Sequence, residues 1–407
     1  MNQHSNPKIR FKEFVNKWNN YKLGQLGNFK SGIGFPDSQQ GGTEGIPFFK
    51  VSDMNNIGNE TEMRNANNYV TQEQVMKNNW KVINETPAII FAKVGAALML
   101  NRKRLVTRPF LIDNNTMSYS FDESWDKDFG LTLFQTINLP KYAQIGALPS
   151  YNASDIAMIK VNVPDVQEQS AIGTLFRTLD DLLASYKDNL ANYQSLKATM
   201  LSKMFPKVGQ KVPEIRLDGF EGEWEIKKFR SISNKRGKSN SKGYDYPAYS
   251  VSNQSGLIPQ SEQFEGSRLE NLEKTSYKIV EPNEFAYNPA RINVGSIAFN
   301  DLHETVIVSS LYVIFSLDKS MDNNYALLFI KSAEFNKEVR RNTEGSVREY
   351  LFYENFANIR IPIPPSLEEQ RAIGSYFSNL DNLINSHQEK ISQLETLKKK
   401  LLQDMFI

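Results

Sequence analysis

Two long stretches of the chain place apolar residues at alternating spacings of three and four, which is the heptad pattern of a helix with one apolar seam. In the first stretch the seam positions are Ile172, Phe176, Leu179, Leu183, Tyr186, Leu190, Tyr193, Lys197, Met200 and Met204. In the second they are Ile373, Phe377, Leu380, Ile384, His387, Ile391, Leu394, Lys398, Leu401 and Met405. Each stretch is predicted to form one helix of about 40 residues, roughly 60 Å long.

The second stretch is a copy of the first. Both begin with Glu-Gln-x-Ala-Ile-Gly and end with Met-Phe, over Glu168–Phe205 and Glu369–Phe406. Both also open on a helix-start signal, an Asp165 or Ser366 followed three residues later by glutamate. Such a long repeat predicts that the chain contains one structural unit twice.

A shorter leading segment repeats as well: Pro7 to Trp18 recurs as Pro213 to Trp224, with Ile-Arg at the same place. We expect both tryptophans to anchor this segment rather than to stack on bases. The predicted boundaries are 1–164 for the first domain with its leading segment, 165–206 for the first helix, 207–212 for a linker, 213–365 for the second domain with its leading segment, and 366–407 for the second helix.

Two apolar seams in one chain most economically bury each other. A parallel pair would place the ammonium groups of Lys197 and Lys398 against each other, whereas an antiparallel pair sends them to opposite ends. We therefore predict an antiparallel intramolecular coiled coil, in which His387 is a packing position rather than a ligand. The alternative is that each helix packs on its own domain or on another chain.

The segments between the helices differ in residues but keep a common order of elements. The predicted strands of the first are Ile46–Val51, Ala88–Lys93, Arg104–Ile112, Met117–Phe121 and Ile156–Val163, with a helix at Lys127–Asn138. Those of the second are Tyr246–Val251, Glu284–Tyr287, Thr305–Ser309, Leu311–Phe315 and Phe356–Ile363, with a helix at Tyr325–Arg340. The predicted fold class is α+β: two tandem, diverged α+β domains separated by the two long helices.

Composition excludes several classes of protein. The chain has no cysteine, so disulfides, thiol nucleophiles and Cys-ligated metals are excluded, and its three histidines are far apart in sequence. No apolar run is long enough to cross a bilayer, and we expect a cytoplasmic protein without a membrane partner. The net charge of +2 neither requires nor excludes nucleic acid.

No catalytic motif withstands inspection. Gly237-Lys238-Ser239 ends like a phosphate-binding loop, but the glycine required five residues earlier is Ile232. Asn288-Pro289-Ala290-Arg291 lacks the second proline and the aromatic residue of the tetrapeptide with which amino-methyltransferases hold an extruded base. We expect no catalytic residue, no metal site and no cofactor bound by this chain.

Basic clusters are the positive signal, because lysine and arginine neutralise phosphates and can read guanine edges. The candidate DNA-binding residues are Lys30, Lys50, Arg102, Lys103, Arg104, Arg108, Tyr151, Lys235, Arg236, Lys238, Lys242, Arg291, Arg340, Arg341, Arg348 and Tyr350. Charged loops are more often merely solvated, and the loops Gly146–Tyr151 and Gly345–Tyr350 suit turn geometry as well as DNA contact. The duplicated architecture favours DNA, since two similar domains could read two short sequences at a fixed spacing.

With its paired helices, leading segments and divergent domains, the whole chain resembles the specificity subunit of type I restriction-modification enzymes. The resemblance implies that the two domains are target recognition domains, each reading half of a split DNA sequence, and that the coil sets the spacer. It also implies a non-catalytic subunit that recruits two methyltransferase subunits carrying S-adenosylmethionine, and restriction/translocase subunits that use ATP and Mg. No residue-level recognition code follows from it.

Two other classes of function stay open at this point. One is a non-catalytic coiled-coil scaffold with two protein- or carbohydrate-binding domains, which predicts no salt-dependent binding of double-stranded DNA. The other is an autonomous nuclease or methyltransferase, which the failed catalytic motifs disfavour.

Overall fold

A computed structural model describes residues 7–144, 148–207, 209–253, 256–263, 274–342 and 350–406. The chain forms two compact units, one of Met1–Lys187 with Glu389–Ile407 and the other of Asp188–Gln388. Each unit therefore contains one α+β domain and half of each long helix. This division differs from the linear domain boundaries of the sequence analysis, which stay predictions.

The first unit is built on an antiparallel four-stranded sheet. Its strands are β1 Asn19–Lys22, β2 Gly27–Ser31, β3 Ile46–Phe49, β4 Tyr69–Val70, β5 Ala88–Ala92, β6 Lys103–Val106, β7 Leu111–Ile112, β8 Thr116–Phe121 and β9 Lys160–Val163. Its helices are α1 Gln72–Lys77, α2 Ala96–Met99, α3 Lys127–Thr136, α4 Ala153–Ala157 and the start of α5 Val166–Lys203. The main sheet has the order β2-β8-β5-β6, β4-β3-β7 form a second sheet, and β1 pairs with β9.

The second unit repeats this plan. Its strands are β10 Glu225–Lys228, β11 Ser233–Arg236, β12 Tyr249–Ser252, β13 Gly256–Pro259, β14 Lys278–Val280, β15 Phe285–Tyr287, β16 Ile297–Phe299, β17 Val306–Val308, β18 Val313–Leu317 and β19 Arg360–Ile363. Its helices are α6 Gln260–Gln263, α7 Asn323–Ile330, α8 Ala333–Asn342, α9 Tyr353–Phe356 and part of α10 Leu367–Met405. The main sheet β11-β18-β15-β16 and the pair β10-β19 correspond to β2-β8-β5-β6 and β1-β9.

The sequence analysis placed several elements wrongly. The strand expected over 104–112 is divided into β6 and β7, and the first half of the strand expected over 156–163 belongs to helix α4 and the turn after it. Likewise α9 replaces the start of the strand expected over 356–363. The helix expected over 325–340 breaks at Ser332, whose hydroxyl accepts a hydrogen bond from the Phe335 amide and starts α8.

The repeated glutamate at the start of each long helix holds the leading segment. Arg10 donates from Nε and Nη2 to the two oxygens of Glu168 at 2.6 and 2.7 Å, and Arg216 binds Glu369 in the same way at 2.7 and 2.8 Å. Both glutamates are buried. Such bidentate pairs fix orientation as well as charge, so the Ile-Arg of each leading segment and the Glu of each helix are one structural device.

The glutamine that follows fixes the loop in front of the next helix. Gln169 accepts a hydrogen bond from the Asp126 amide at 2.9 Å, at the N-cap of α3, and donates to the Ser124 carbonyl at 3.0 Å. Gln370 makes the same pair of bonds to the Asp322 amide and the Ser320 carbonyl. The Glu-Gln dipeptide therefore joins the long helix to two separate parts of its domain.

The glycine of the repeated motif lets a helix end approach the long helix closely. A Cβ on Gly173 would lie 2.5 Å from Asp126 Oδ1 and 2.6 Å from the Phe129 amide nitrogen, at the start of α3. A Cβ on Gly374 would lie 3.0 Å from Asn324 at the start of α7. Only glycine permits the first of these contacts without displacement of the backbone.

The prediction of an antiparallel coiled coil is confirmed within each unit. In the first, Lys187 of α5 pairs with Glu395 of α10 at 2.7 Å, and Lys398 pairs with Asp180 at 2.5 Å. In the second, Lys197 pairs with Asp381, and the rings of Tyr193 and His387 lie 5.2 Å apart. Partner numbers fall on one helix as they rise on the other, which is the mark of antiparallel packing.

Burial along both long helices follows the heptad. Each seam position named from the sequence is buried or half-buried, including His387 and the two lysines, whereas the helix faces between them are largely exposed. The Met-Phe ends reach into the domain cores. Met405 and Phe406 belong to the core of the first unit, and Met204 and Phe205 to that of the second.

Each tryptophan of the leading segments packs against its core. Trp18 packs edge-on against Phe129 and Phe406 and donates its indole N–H to Glu168 at 3.1 Å. Trp224 is buried, and within the described part of the chain its indole nitrogen has no acceptor.

Among the described residues, no helix combines the length and apolar character needed to cross a lipid bilayer.

We expect Arg10→Ala to destabilise the first unit by about 3–5 kcal/mol, because it leaves the buried Glu168 carboxylate without its counter-charge. Arg177→Ala is the matched control: this arginine pairs with Asp128 at 3.2 Å on the surface and its loss should cost less than about 1 kcal/mol. Urea denaturation followed by tryptophan fluorescence measures both, and equal losses would contradict a special role for the buried pair.

Candidate nucleic-acid interface

The basic residues of the first unit gather around strand β6. The guanidinium of Arg102 donates to Asn55 Oδ1, and that of Arg108 donates to the Arg64 carbonyl at 2.8 Å. Arg104 donates from Nη1 to the Lys103 carbonyl at 3.0 Å, and its Nε is buried with no acceptor among the described residues. In the part of the chain that the structure describes, Arg102, Arg104 and Arg108 form no ion pair with a carboxylate, so their charge is available to an anion.

Crowding of like charge is clearest at Arg104. Burial lowers its pKa, the neighbouring Arg102 lowers it further, and only Glu60 opposes the shift. A phosphate placed beside the two guanidinium groups would relieve this repulsion. Arg102 and Arg104 therefore stay candidates for binding an anion such as a DNA phosphate.

Two of the predicted DNA contacts are wrong. Lys103 is only 4% exposed and donates from Nζ to the Ile137 carbonyl at 2.5 Å, at the C-cap of α3, while burial lowers its pKa to about 7. Tyr151 is 3% exposed, its hydroxyl donates to the Ala92 carbonyl at 2.5 Å, and burial raises its pKa. Strand alternation explains the first error, because Lys103 points to the opposite face of β6 from Arg102 and Arg104.

Lys30 and Lys50 have partners inside the protein. Lys30 pairs with Glu85 at 2.5 Å, and Lys50 donates to Gln40 Oε1 at 3.2 Å beside the buried Asp53, whose pKa is raised by burial. The Glu85 carboxylate offsets the charge of Lys30, whereas Gln40 is neutral and only orients the ammonium group of Lys50. DNA contact by Lys30 and Lys50 stays a prediction.

In the second unit the basic residues of β11 line a groove of about 740 Å³. Arg236 donates to Ser316 Oγ at 3.0 Å and lies 3.7 Å from Glu284, and Lys235 lies over the Tyr353 ring. Lys238 also lines the groove. The carboxylate of Glu284, whose pKa is raised by burial, makes this surface mixed in charge rather than purely basic.

A cleft of about 460 Å³ occupies the corresponding place in the first unit, beside the end of β2. Lys30 of β2 and Arg236 of β11 occupy equivalent positions in the two main sheets. The residue before Lys30 pairs with the buried Tyr119 of β8, and the residue before Arg236 pairs with the buried Phe315 of β18. Each also pairs with a glutamate just before the equivalent strand of its sheet: Lys30 with Glu85 before β5, and Arg236 with Glu284 before β15. The cleft of the first unit is more apolar, lined by Ile33, Trp80, Lys81, Ile83, Leu111 and Ile112.

The remaining candidates of the second unit are on its surface. Lys242, Arg291 and Arg340 are exposed. Arg341 is also exposed and pairs with Glu338 at 2.6 Å. Tyr350 stacks on Phe352 with ring centroids 5.9 Å apart, and both rings face solvent. Arg348, Gly146 and Gly345 lie outside the described residues.

The sequence analysis did not predict a turn of the first unit that projects beside Arg102 and Arg108. Ile57 is 93% exposed, next to Gly58, whose φ of 89° is in the left-handed region. The signal was present as Asn55-Asn56-Ile57-Gly58-Asn59, a run of turn-forming residues around one apolar side chain. A search for basic clusters alone does not detect such an element.

Comparisons with known proteins agree on one family. The family model described as "Type I restriction modification DNA specificity domain" matches the chain twice, over residues 16–192 and 221–396. The type I restriction enzyme MjaVIII specificity subunit and the putative MjaX specificity subunit of Methanocaldococcus jannaschii are each 22% identical, over 63% and 66% of this chain. The matched part spans 63% and 64% of those two relatives.

A crystal structure of a type I restriction-modification system S subunit from M. genitalium has a similar fold. It aligns over 99% of both chains with a TM-score of 0.62 and 14% sequence identity. At that identity the likeness concerns the fold alone.

We expect replacement of Arg102 and Arg104 by glutamine to weaken binding of double-stranded DNA and to reduce the slope of log affinity against log salt by about two, one for each lost phosphate contact. Lys103→Met should leave both quantities unchanged, because this side chain is buried. Fluorescence-anisotropy titrations at several salt concentrations provide the measurement. A loss caused equally by Lys103→Met would contradict the assignment.

Proposed function

Because the chain belongs to the type I restriction-modification DNA specificity family, we propose that it is the sequence-reading subunit of such a system, with each unit reading one half of a bipartite DNA target. The observation that carries this proposal is the duplication of the framework combined with divergence of the surfaces. The Arg–Glu pair, the glutamine bridge and the glycine contact occur in both units. The cations around β6 and β11 do not match each other.

The proposed role is non-catalytic. Methyl transfer from S-adenosylmethionine and ATP- and Mg-dependent restriction would be supplied by partner subunits, while this chain positions them on DNA. The two long helices would set the unspecified spacer between the half-sites. A carbohydrate- or protein-binding scaffold is the rival function. It gives no reason for the half-buried Arg102 and Arg104 at β6, which pair with no carboxylate among the described residues.

A pair of exposed leucines on the coil supports docking of two identical partners. In the first unit Leu182 and Leu397 lie opposite each other in the register fixed by Lys398–Asp180 and Lys187–Glu395. In the second unit Leu196 and Leu383 hold the equivalent positions, between Lys197–Asp381 and Tyr193–His387. The same apolar pair is thus offered once in each unit, which suits two copies of one methyltransferase subunit.

The proposed function predicts a split methylation target. In cells that carry this chain with its methyltransferase partner, methylated adenines should map to one bipartite sequence. Exchange of residues 27–150 for the same region of another family member should replace one half of that sequence and keep the other. Sequencing that detects methylated bases provides the test. Simultaneous change of both halves, or methylation without any sequence preference, would contradict the proposal.

The leucine pair gives a separate test of partner binding. Leu182→Asp combined with Leu397→Asp should weaken association with the methyltransferase subunit about tenfold or more, since loss of a buried interface anchor costs about 2 kcal/mol. Ala184→Asp, at an exposed position on another face of the same helix turn, should have little effect. Co-purification measures the association, and circular dichroism checks that the helices are intact. Equal effects of the two changes would argue against this docking surface.

A further inference from the structure

The first unit contains a projecting loop, here named the Ile57 loop and comprising residues 55–67. Met54, directly before the loop, and Met63, within its returning arm, are buried in one apolar core. Its tip carries Ile57, which is 93% exposed. The loop therefore joins a fixed base to an apolar side chain that contributes nothing to the core.

The base of the Ile57 loop is organised by one buried amide. Asn59 donates to the carbonyls of Asp53 and Asn65, both at 2.8 Å. Its Oδ1 accepts hydrogen bonds from the amides of Arg64 at 2.8 Å and Asn65 at 3.2 Å. Since its amide nitrogen and oxygen both bridge backbone groups, Asn59 holds the outgoing and returning arms of the loop together.

The tip is held by further amide side chains. Asn56 donates to Asn65 Oδ1 at 3.0 Å and to Asn67 Oδ1 at 2.9 Å, and Asn65 donates to the Ile57 carbonyl at 3.1 Å. The left-handed φ of Gly58 completes the turn. The backbone that carries Ile57 is thus fixed in place even though its side chain is surrounded by solvent.

Arginines surround this tip. Arg102 donates to Asn55 on the outgoing arm, Arg108 donates to the Arg64 carbonyl on the returning arm, and Arg64 itself is exposed. Two carboxylates also belong to the loop. Glu60 accepts from the Gly58 amide at 3.2 Å, and Glu62 accepts from the Thr107 hydroxyl.

A single exposed apolar residue is common on protein surfaces and does not by itself indicate a binding site. Here the apolar tip is combined with a fixed backbone and flanking cations, which is what recognition of a base edge in DNA requires: contacts to phosphate set the position, and a protruding side chain reads the groove. On the major-groove edges of the four bases, the one apolar group is the C5 methyl of thymine.

We propose that the Ile57 loop enters the major groove of the half-site read by the first unit, and that Ile57 contacts the C5 methyl of a thymine there. The surrounding arginines contact the phosphates on either side. This inference rests on the proposed function and adds to it the element and the chemical group by which one half-site is read.

The test removes the two partners of the contact separately and together. Once the target sequence is mapped, each thymine in turn is replaced by 2′-deoxyuridine, which lacks only the methyl group, in DNA bound by the full chain with its methyltransferase partner. At one position of one half-site, deoxyuridine should weaken binding by wild type about three- to tenfold, the scale of one methyl group lost from apolar contact. Ile57→Ala should lose that sensitivity, whereas Ile57→Val should keep most of it.

Two controls separate reading from folding. Val15→Ala changes another β-branched apolar residue, 81% exposed in the leading segment, and should keep the response to deoxyuridine. Asn59→Ala, which removes the bridge between the loop arms, should abolish the response while Arg102 and Arg104 still support salt-dependent DNA binding.

The outcomes distinguish this inference from the function on which it rests. Specific binding with no deoxyuridine position that depends on Ile57 would overturn the inference alone. Absence of any sequence-specific binding by the wild-type complex would overturn the proposed function together with the inference.

Discussion

The structure depends on a buried charge pair that occurs in each unit, Arg10 with Glu168 and Arg216 with Glu369. A buried carboxylate costs several kcal/mol of desolvation unless a well-placed partner compensates it, so neither glutamate tolerates loss of its arginine. The pair joins two parts of each unit that are distant in sequence: the leading segment carries the arginine and the long helix carries the glutamate. The strand that follows the leading segment also pairs with the strand that precedes the long helix, β1 with β9 and β10 with β19.

The invariant residues of the repeated motif serve the fold. In Glu-Gln-x-Ala-Ile-Gly the glutamate binds an arginine, the glutamine bridges a helix N-cap, the isoleucine packs in the core, and the glycine makes room for a helix end. Each of these side chains is directed inward and fully occupied. The proposed recognition is therefore assigned to the loops and strand surfaces, where the two units share a framework but differ in residues.

The two long helices and the duplicated unit could be predicted from the sequence because periodic and repeated residues encode them. The heptad pattern predicted the two helices, and the positions of Lys197 and Lys398 predicted that they run antiparallel. In the structure these lysines form ion pairs with Asp381 and Asp180 of the opposite helix. Local features were harder to predict. The burial of Lys103 depends on the carbonyl of Ile137, which tertiary folding brings to it, and that of Tyr151 depends on Ala92. The break at Ser332 depends on one hydroxyl that competes with the helix backbone. No pattern in the sequence around these residues indicates which group each of them will bond.

The same division between interior and surface determines which residues can change without loss of the fold. Substitution of Arg10 leaves the buried Glu168 carboxylate uncompensated, so stability alone constrains this pair. Ile57 is the opposite case: because its side chain packs against nothing, its replacement removes no core contact, while Asn59 keeps the loop in position. A rigid base under a replaceable tip lets sequence preference change at almost no cost in stability. Under the proposed function, this separation would allow two units of the same fold to read different sequences.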